Sequence, residues 1–278
     1  MPLIFKDFNK CIPPVSSRWT PIYLEHGRLE VDDSSVKWIG AEGDIIRIPV
    51  ARISIIILGP GSVVTHAAIC MCSRLNTPVS WVGEDGIYFY SFGVNVNEKC
   101  QTAQIQAKLY SDPVERERIA LKMYTYRFKE ETKGKSIEQL RGMEGARVKD
   151  LYYRLGKKYS VRWSGRNSSG QLEHILGAQD DINRMIKLSN FFLYSLTLSV
   201  ALSMGYITSL GFIHVDGKIP FIYDIADLVK DDYIEFCFRH YSEERILSNT
   251  LFYEAFKNFA HKDKLLKKLP DLLKKVIC

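Results

Sequence analysis

The chain has 278 residues, of which 46% are hydrophobic and 25% charged, so it holds enough apolar material for one large core or two ordinary ones and is not a disordered chain. Its formal charge of +6 is unevenly placed: residues 1–95 hold 8 Lys and Arg against 9 Asp and Glu, and the remaining residues hold 30 against 23. A polyanion contact is therefore expected in the second part, with a solvated basic face as the plain alternative.

Six cysteines stand at Cys11, Cys70, Cys72, Cys100, Cys237 and Cys278, with no C-x-x-C pair and no zinc-ligand spacing. They read as reduced and structural, which points to a cytoplasmic chain. The start of the chain carries no apolar run long enough for a signal peptide.

In chain order, the first ninety or so residues read as short strands broken by turns. Ile22–Glu25 and Arg28–Val31 flank His26-Gly27, and Val36–Ile39 and Ile45–Ile48 flank Glu42-Gly43. The β-branched run Ile53–Leu58 ends at Gly59-Pro60-Gly61. One helix is expected from Val63 to Leu75, after which strands resume at Val79–Val82 and Ile87–Phe92 around Asp85-Gly86. The fold class read from this pattern is α+β: a β-rich domain with one helix over residues 1–93, and a mainly α-helical domain over residues 94–278, joined near Gly93–Asn97.

Helical periodicity begins near Glu98. It predicts helices at Cys100–Tyr110, Val114–Lys129, Ile137–Tyr159, Ile182–Met204, Arg245–His261 and Leu265–Ile277. Ser136 followed by Gln139 is a capping box at the start of the third. The polar stretch Ser160–Gly177 reads as a mobile loop. Leu188–Ile213 carries no charge, but its many Ser and Thr and its Gly205 and Gly211 favour a buried core helix over a membrane span.

Two features suggest chemistry. In the helix Ile137–Tyr159, Glu144 falls in the apolar stripe of Leu140, Val148, Leu151 and Leu155. A carboxylate there must be paired, metal-bound or facing a wet cleft. Gly142 and Gly145 beside it each weaken the helix by about 1 kcal/mol, which implies close approach of another backbone or of a ligand. The plain alternative pairs Glu144 with Arg141 or Arg147. Further on, His214 stands in an apolar run before Asp216-Gly217, a hairpin turn signal. If the next apolar run is helical, Asp224 and Asp227 share a face, with Lys230 one step along it. Glu, His and Asp together offer hard oxygen donors with one imidazole, a set suited to Mg²⁺ or Mn²⁺ and to phosphate chemistry.

Three blocks in order, Arg141-Gly-Met-Glu-Gly-Ala-Arg147, Gly211-Phe-Ile-His214 and Tyr223-Asp-Ile-Ala-Asp227, resemble the signature of the CRISPR-associated DNA integrase of spacer acquisition, the first in the Cas numbering. Gly59–Ala68 and Trp81–Gly86 are similar to that family too, and more narrowly to its type I-E branch. The resemblance implies a homodimer that assembles with a small ferredoxin-like second Cas protein. It also implies double-stranded DNA as substrate: the 3′-hydroxyls of a short foreign duplex are joined to the CRISPR repeat. By motif match it makes Glu144, His214 and Asp227 metal ligands and gives Asp224 a supporting catalytic role. Tyr223 and Lys230 become possible contacts to DNA or the scissile phosphate. The nucleophile comes from DNA, so no Ser or Cys nucleophile is needed.

Other residues favour plainer readings. His66 reads as core or cap, and Cys70 and Cys72 are poorly spaced for a chelate. Trp81, Tyr88 and Tyr90 could stack on bases or serve an interface or core. The basic segment 264–275 reads as a solvated face over a Leu stripe rather than a DNA or membrane helix. The rivals to the integrase reading are a metal-dependent nuclease that makes no joints and a non-catalytic DNA-binding scaffold, with no membrane role expected.

Overall fold

The computed structural model describes residues 13–18, 21–32, 35–83, 89–93, 100–128, 132, 134–163, 178–244 and 249–277. The expected turn at Asp85-Gly86, Tyr88, the junction at 94–97, the loop from 164 to 177, Cys11 and Cys278 lie outside them.

Among the described residues eight short strands come first: β1 (Ile22–Leu24), β2 (Gly27–Asp32), β3 (Ser35–Gly40), β4 (Ile45–Ile48), β5 (Ile56–Leu58), β6 (Ser62–Val64), β7 (Val79–Val82) and β8 (Phe89–Gly93). They form two sheets, in the orders β1-β5-β7-β8 and β4-β3-β2-β6. The Glu42-Gly43 turn joins the antiparallel pair β3–β4, with Gly43 at φ +86°. At His26-Gly27 the outcome differs. β1 pairs in parallel with β5 and β2 pairs with β3, so the left-handed His26 (φ +53°) passes the chain from one sheet to the other. The first helix, α1 (His66–Arg74), is shorter than expected. Ser62–Val64 is spent on β6, and Thr65 caps the helix by accepting the Ala68 N–H at 3.3 Å.

The β-branched run before Gly59 has a clear physical role. Ile56 and Leu58 pack into the core of the strand region, while Ile55 and Ile57 point the other way into the core of the helices. All four are fully buried, so β5 is a wall shared by two cores, and period-2 alternation with both faces apolar reads as an unbroken run.

The helices are α2 (Gln101–Ser111), α3 (Pro113–Phe128), α4 (Ile137–Lys158), α5 (Ala178–Ser203), α6 (Pro220–Asp227), α7 (Lys230–Glu244), α8 (Asn249–Lys262) and α9 (Leu265–Ile277). This strand-rich region followed by a helical one is the α+β class expected. The Ser136–Gln139 capping box forms at α4, and in α9 the Leu stripe is buried with Lys267, Lys274 and Lys275 exposed. Among the described residues one helix, α5, is long and apolar enough to cross a membrane, and it is mostly buried inside the protein. Three of its hydroxyls bond to backbone: Ser195 and Thr197 donate to the carbonyls of Phe191 and Leu193 four residues back, and Ser199 donates to the Ser54 carbonyl at 2.5 Å. That last bond ties the core helix to the strand region.

Two expectations fail here. The region around Asp216-Gly217 contains no strand, so the turn is not a hairpin. The helix α7 was not foreseen, because Tyr233, Ile234, Phe236, Cys237 and Phe238 are all buried and their near-continuous apolar run hides the helical period.

Candidate functional site

Two helices and one loop carry the expected acidic and histidine residues. Glu144 lies on α4, Asp224 and Asp227 lie three residues apart on α6, and His214 lies in the loop between α5 and α6. Gly205 (φ +81°) closes α5, with the Tyr206 N–H donating back to the Ala201 carbonyl at 3.0 Å. Gln106 of α2 then holds the loop: its amide donates to the carbonyls of Ile207 and Leu210, and its oxygen accepts the Ile207 N–H at 2.7 Å. Gly211 is required, because any Cβ there would run into the His214 carbonyl and the Pro220 backbone. Pro220 at the first position starts α6.

Asp224 organises the loop. Its side chain is completely buried, and one oxygen accepts the N–H groups of Phe212 (2.5 Å) and Ile213 (3.0 Å). The other accepts the His214 N–H at 2.9 Å and lies 2.7 Å from His214 Nδ1. The backbone donors a strand would have used are consumed by this carboxylate, which explains the missing hairpin. The bond also fixes the imidazole. With Nδ1–H directed to the carboxylate, Nε2 keeps its lone pair for a ligand. The hydrogen bond that His214 donates to Asp224 outweighs burial and raises the His214 pKa above its ordinary value, with the charges of Asp224, Asp227 and Glu144 adding to it.

Glu144 is neither free nor paired as the sequence suggested. Arg141 donates instead to the Ile213 carbonyl at 2.6 Å, and Arg147 to Asp231 at 2.9 Å. The partner of Glu144 is Arg127 of α3, whose Nη1 lies 2.5 Å from Glu144 Oε1 and 3.9 Å from Asp227 Oδ2. Nothing in the sequence marked Arg127, which reaches the site only because α3 packs against α4. The two glycines also have a different reason from close backbone packing: a Cβ at Gly142 or Gly145 would meet nothing within 4 Å. They leave open surface on either side of Glu144.

Asp227 is the second carboxylate facing Arg127. Its other partner is Lys230, at 3.1 Å, which also donates to the Tyr194 hydroxyl at 2.7 Å. Burial pushes the Asp227 carboxyl up, but the charges of Lys230 and Arg127 outweigh it and hold the group below the usual carboxylate range. Tyr223 packs edge-on to Tyr194 and to His214, with ring centroids at 5.1 and 6.0 Å, and burial raises its hydroxyl pKa. Among the described residues no three His, Cys, Asp or Glu side chains are already arranged to hold a metal ion. The gap between Glu144 and Asp227 is filled by the Arg127 guanidinium.

Elsewhere, His66 is exposed at the first position of α1, neither core nor side-chain cap, with its ring 3.6 Å from Cys70 Sγ. Tyr90 is exposed and Trp81 half-buried against the strand core.

The family model for CRISPR associated protein Cas1 matches residues 22–133 and 122–274. The CRISPR-associated endonuclease Cas1 2 of Chlorobaculum tepidum is 39% identical over 230 residues, covering 82% of this chain and 76% of the relative. The CRISPR-associated endonuclease Cas1 of Escherichia coli K12 is 36% identical over 220 residues, covering 79% of this chain and 71% of the relative. A crystal structure of a TtCas1–DNA complex superposes with a TM-score of 0.80 at 28% identity, covering 93% of this chain and 91% of the other. The chain belongs to the Cas1 family of CRISPR-associated endonucleases.

Proposed function

We propose that this Cas1 protein is a divalent-metal-dependent DNA integrase that joins the 3′-hydroxyl ends of a short foreign duplex to the CRISPR repeat by transesterification. The observation that carries the reading is that Glu144 and Asp227 face one guanidinium, with a carboxylate-backed His214 near enough to feel the charge of both. Two carboxylates and an imidazole held by Asp224 through Nδ1 are a donor set that fits Mg²⁺ or Mn²⁺, and the Arg127 guanidinium between the carboxylates marks where positive charge is stabilised.

Glu144, Asp227 and His214 Nε2 would hold the ion, and Asp224 would keep the imidazole aimed. The ion would neutralise non-bridging phosphate oxygens and lower the pKa of the attacking hydroxyl. In the reaction one P–O bond forms from the 3′-oxygen of the foreign strand and one P–O bond of the repeat breaks, so no outside energy source is needed. The open surface at Gly142 and Gly145 leaves room for the DNA backbone beside Glu144. Tyr223 and Lys230 would face the DNA end. Of these, Lys230 is already committed to Asp227 and Tyr194, which makes it a holder of Asp227 before it is a phosphate contact.

The reading includes double-stranded DNA as substrate, a homodimer, a small ferredoxin-like second Cas protein as partner, and a cytoplasmic location. The TtCas1 relative bound to DNA supports the substrate. The type I-E assignment rests on the sequence blocks. A second reading, hydrolysis of branched or double-stranded DNA without joining, is favoured by the name endonuclease that the relatives carry.

The test mixes the protein with its small Cas partner, a labelled duplex with free 3′-hydroxyls, Mg²⁺ or Mn²⁺, and a plasmid bearing the repeat. Covalent transfer of label to plasmid, lost in EDTA and in Glu144→Ala, is the expected result. Cleavage without transfer would establish the nuclease reading, and DNA binding without either would leave only the scaffold.

A further inference from the structure

Arg127 is a charged group for which the chemistry above has no use. Its side chain is only 6% exposed, and its Nε is buried with no hydrogen-bond partner. Among the described residues, its head group makes one full bond to Glu144 and a longer approach to Asp227. Its backbone is firmly placed: the Arg127 carbonyl accepts from Arg147 Nη1 at 2.8 Å, and Arg147 is itself pinned to Asp231. Both guanidinium groups lie over the Phe128 ring, at 5.6 and 5.0 Å. The stem is thus anchored while the head is under-satisfied, held by opposite charge rather than by a complete set of hydrogen bonds. Burial disfavours its charge, and Asp227 and Glu144 more than compensate, so it stays ionised there.

A divalent ion ligated by Glu144 and Asp227 would need the carboxylate oxygens that Arg127 now faces. It would also repel a guanidinium at that distance. Without either cation, the two carboxylates would repel one another, with Lys230 left to neutralise Asp227 alone.

We propose that Arg127 is a resident counter-ion of the metal site, filling the gap between Glu144 and Asp227 in the metal-free protein and yielding Glu144 when a divalent cation enters. It is a positioning residue that competes with the metal and keeps the metal-free protein folded. The proposal rests on the metal-site reading given above and deepens it.

The test uses the full chain, with Mn²⁺ affinity measured by calorimetry and thermal unfolding followed in EDTA and in Mn²⁺. Removing a competing charge should make Arg127→Gln bind Mn²⁺ at least about tenfold tighter than the unsubstituted protein. Its melting temperature should fall in EDTA and rise more on adding Mn²⁺, because the ion then stabilises an otherwise unbalanced pair of carboxylates. Equal or weaker Mn²⁺ binding by Arg127→Gln overturns the proposal and makes Arg127 a brace for Glu144. Should Arg127→Gln fail to fold in either condition, the unsubstituted protein decides. Its Arg127 Nε–H nuclear magnetic resonance signal should shift and exchange faster on Mg²⁺ binding, and an unchanged signal with Mg²⁺ bound overturns the proposal. Glu144→Gln separates the two levels. If it binds Mn²⁺ as well as the unsubstituted chain does, or if that chain binds none, the metal-site reading fails and the counter-ion role falls with it.

Discussion

Two aspartates on one short helix are given opposite work by their partners. Asp224, on the inner side of α6, is met by three backbone N–H groups and an imidazole, all neutral or weakly charged and all fixed in place. Asp227, one turn on, faces two side-chain cations, Lys230 and Arg127. Fixed dipoles make a carboxylate part of the architecture, because no ligand can replace them without unfolding the loop. Side-chain cations make it a site, because a stronger cation can displace one of them. The difference between a structural and a reactive carboxylate is therefore read from what neutralises it rather than from its burial alone.

The largest expected effect follows from the acceptor count. Asp224 accepts through both oxygens, so Asp224→Asn would turn an NH₂ toward donor N–H groups. A loss of about 3–5 kcal/mol in urea unfolding is expected, the summed cost of buried N–H groups left without an acceptor. Asp227→Asn retains an acceptor for Lys230 and should cost only about 1–2 kcal/mol while removing strand transfer. Similar stability losses for the two variants would erase the distinction. Gln106→Leu asks whether Asp224 alone holds the loop. It removes three hydrogen bonds to Ile207 and Leu210, and a loss of about 2 kcal/mol in the same unfolding assay would show that α2 shares the task. An effect near zero would leave the loop to Asp224.

The smallest effect is expected away from the site, where Glu235 of α7 accepts from Lys158 and Tyr159 at the end of α4. The hydrogen bonds from Lys158 and then Tyr159 hold its carboxyl below the ordinary range. A depressed folded pKa contributes stability above the unfolded carboxylate's pKa and loses it as pH falls through the folded value. Melting temperatures at about pH 7 and about pH 3 should therefore differ slightly less in Glu235→Gln than in the unsubstituted protein. An equal difference would mean that solvent already screens this half-exposed pair.

Much of the fold was legible locally. The β3–β4 hairpin at Glu42-Gly43, the Ser136–Gln139 capping box and the Leu stripe of α9 depend on turn chemistry, cap chemistry and periodicity, which neighbouring residues carry among themselves. Glu144 stood out because a carboxylate in an apolar stripe conflicts with its own helix, and Asp224 and Asp227 because two charges interrupted an apolar run. Helix α7 was hidden because the near-continuous apolar run from Tyr233 to Phe238, all but Glu235 buried, blurs the helical period.

What tertiary structure alone decided was who neutralises whom. The hairpin expected at Asp216-Gly217 gives way because Asp224 takes the N–H groups of Phe212, Ile213 and His214, a choice open only once α6 folds back on the loop. Glu144 takes Arg127 rather than Arg141 or Arg147, because α3 packing on α4 brings a residue 17 positions away within 2.5 Å. By itself the sequence determined which charges had to be reconciled with an apolar surrounding, since that follows from residue type and local period. Only packing determined the partners, since electrostatic pairing in a protein interior depends on distances that sequence separation does not set.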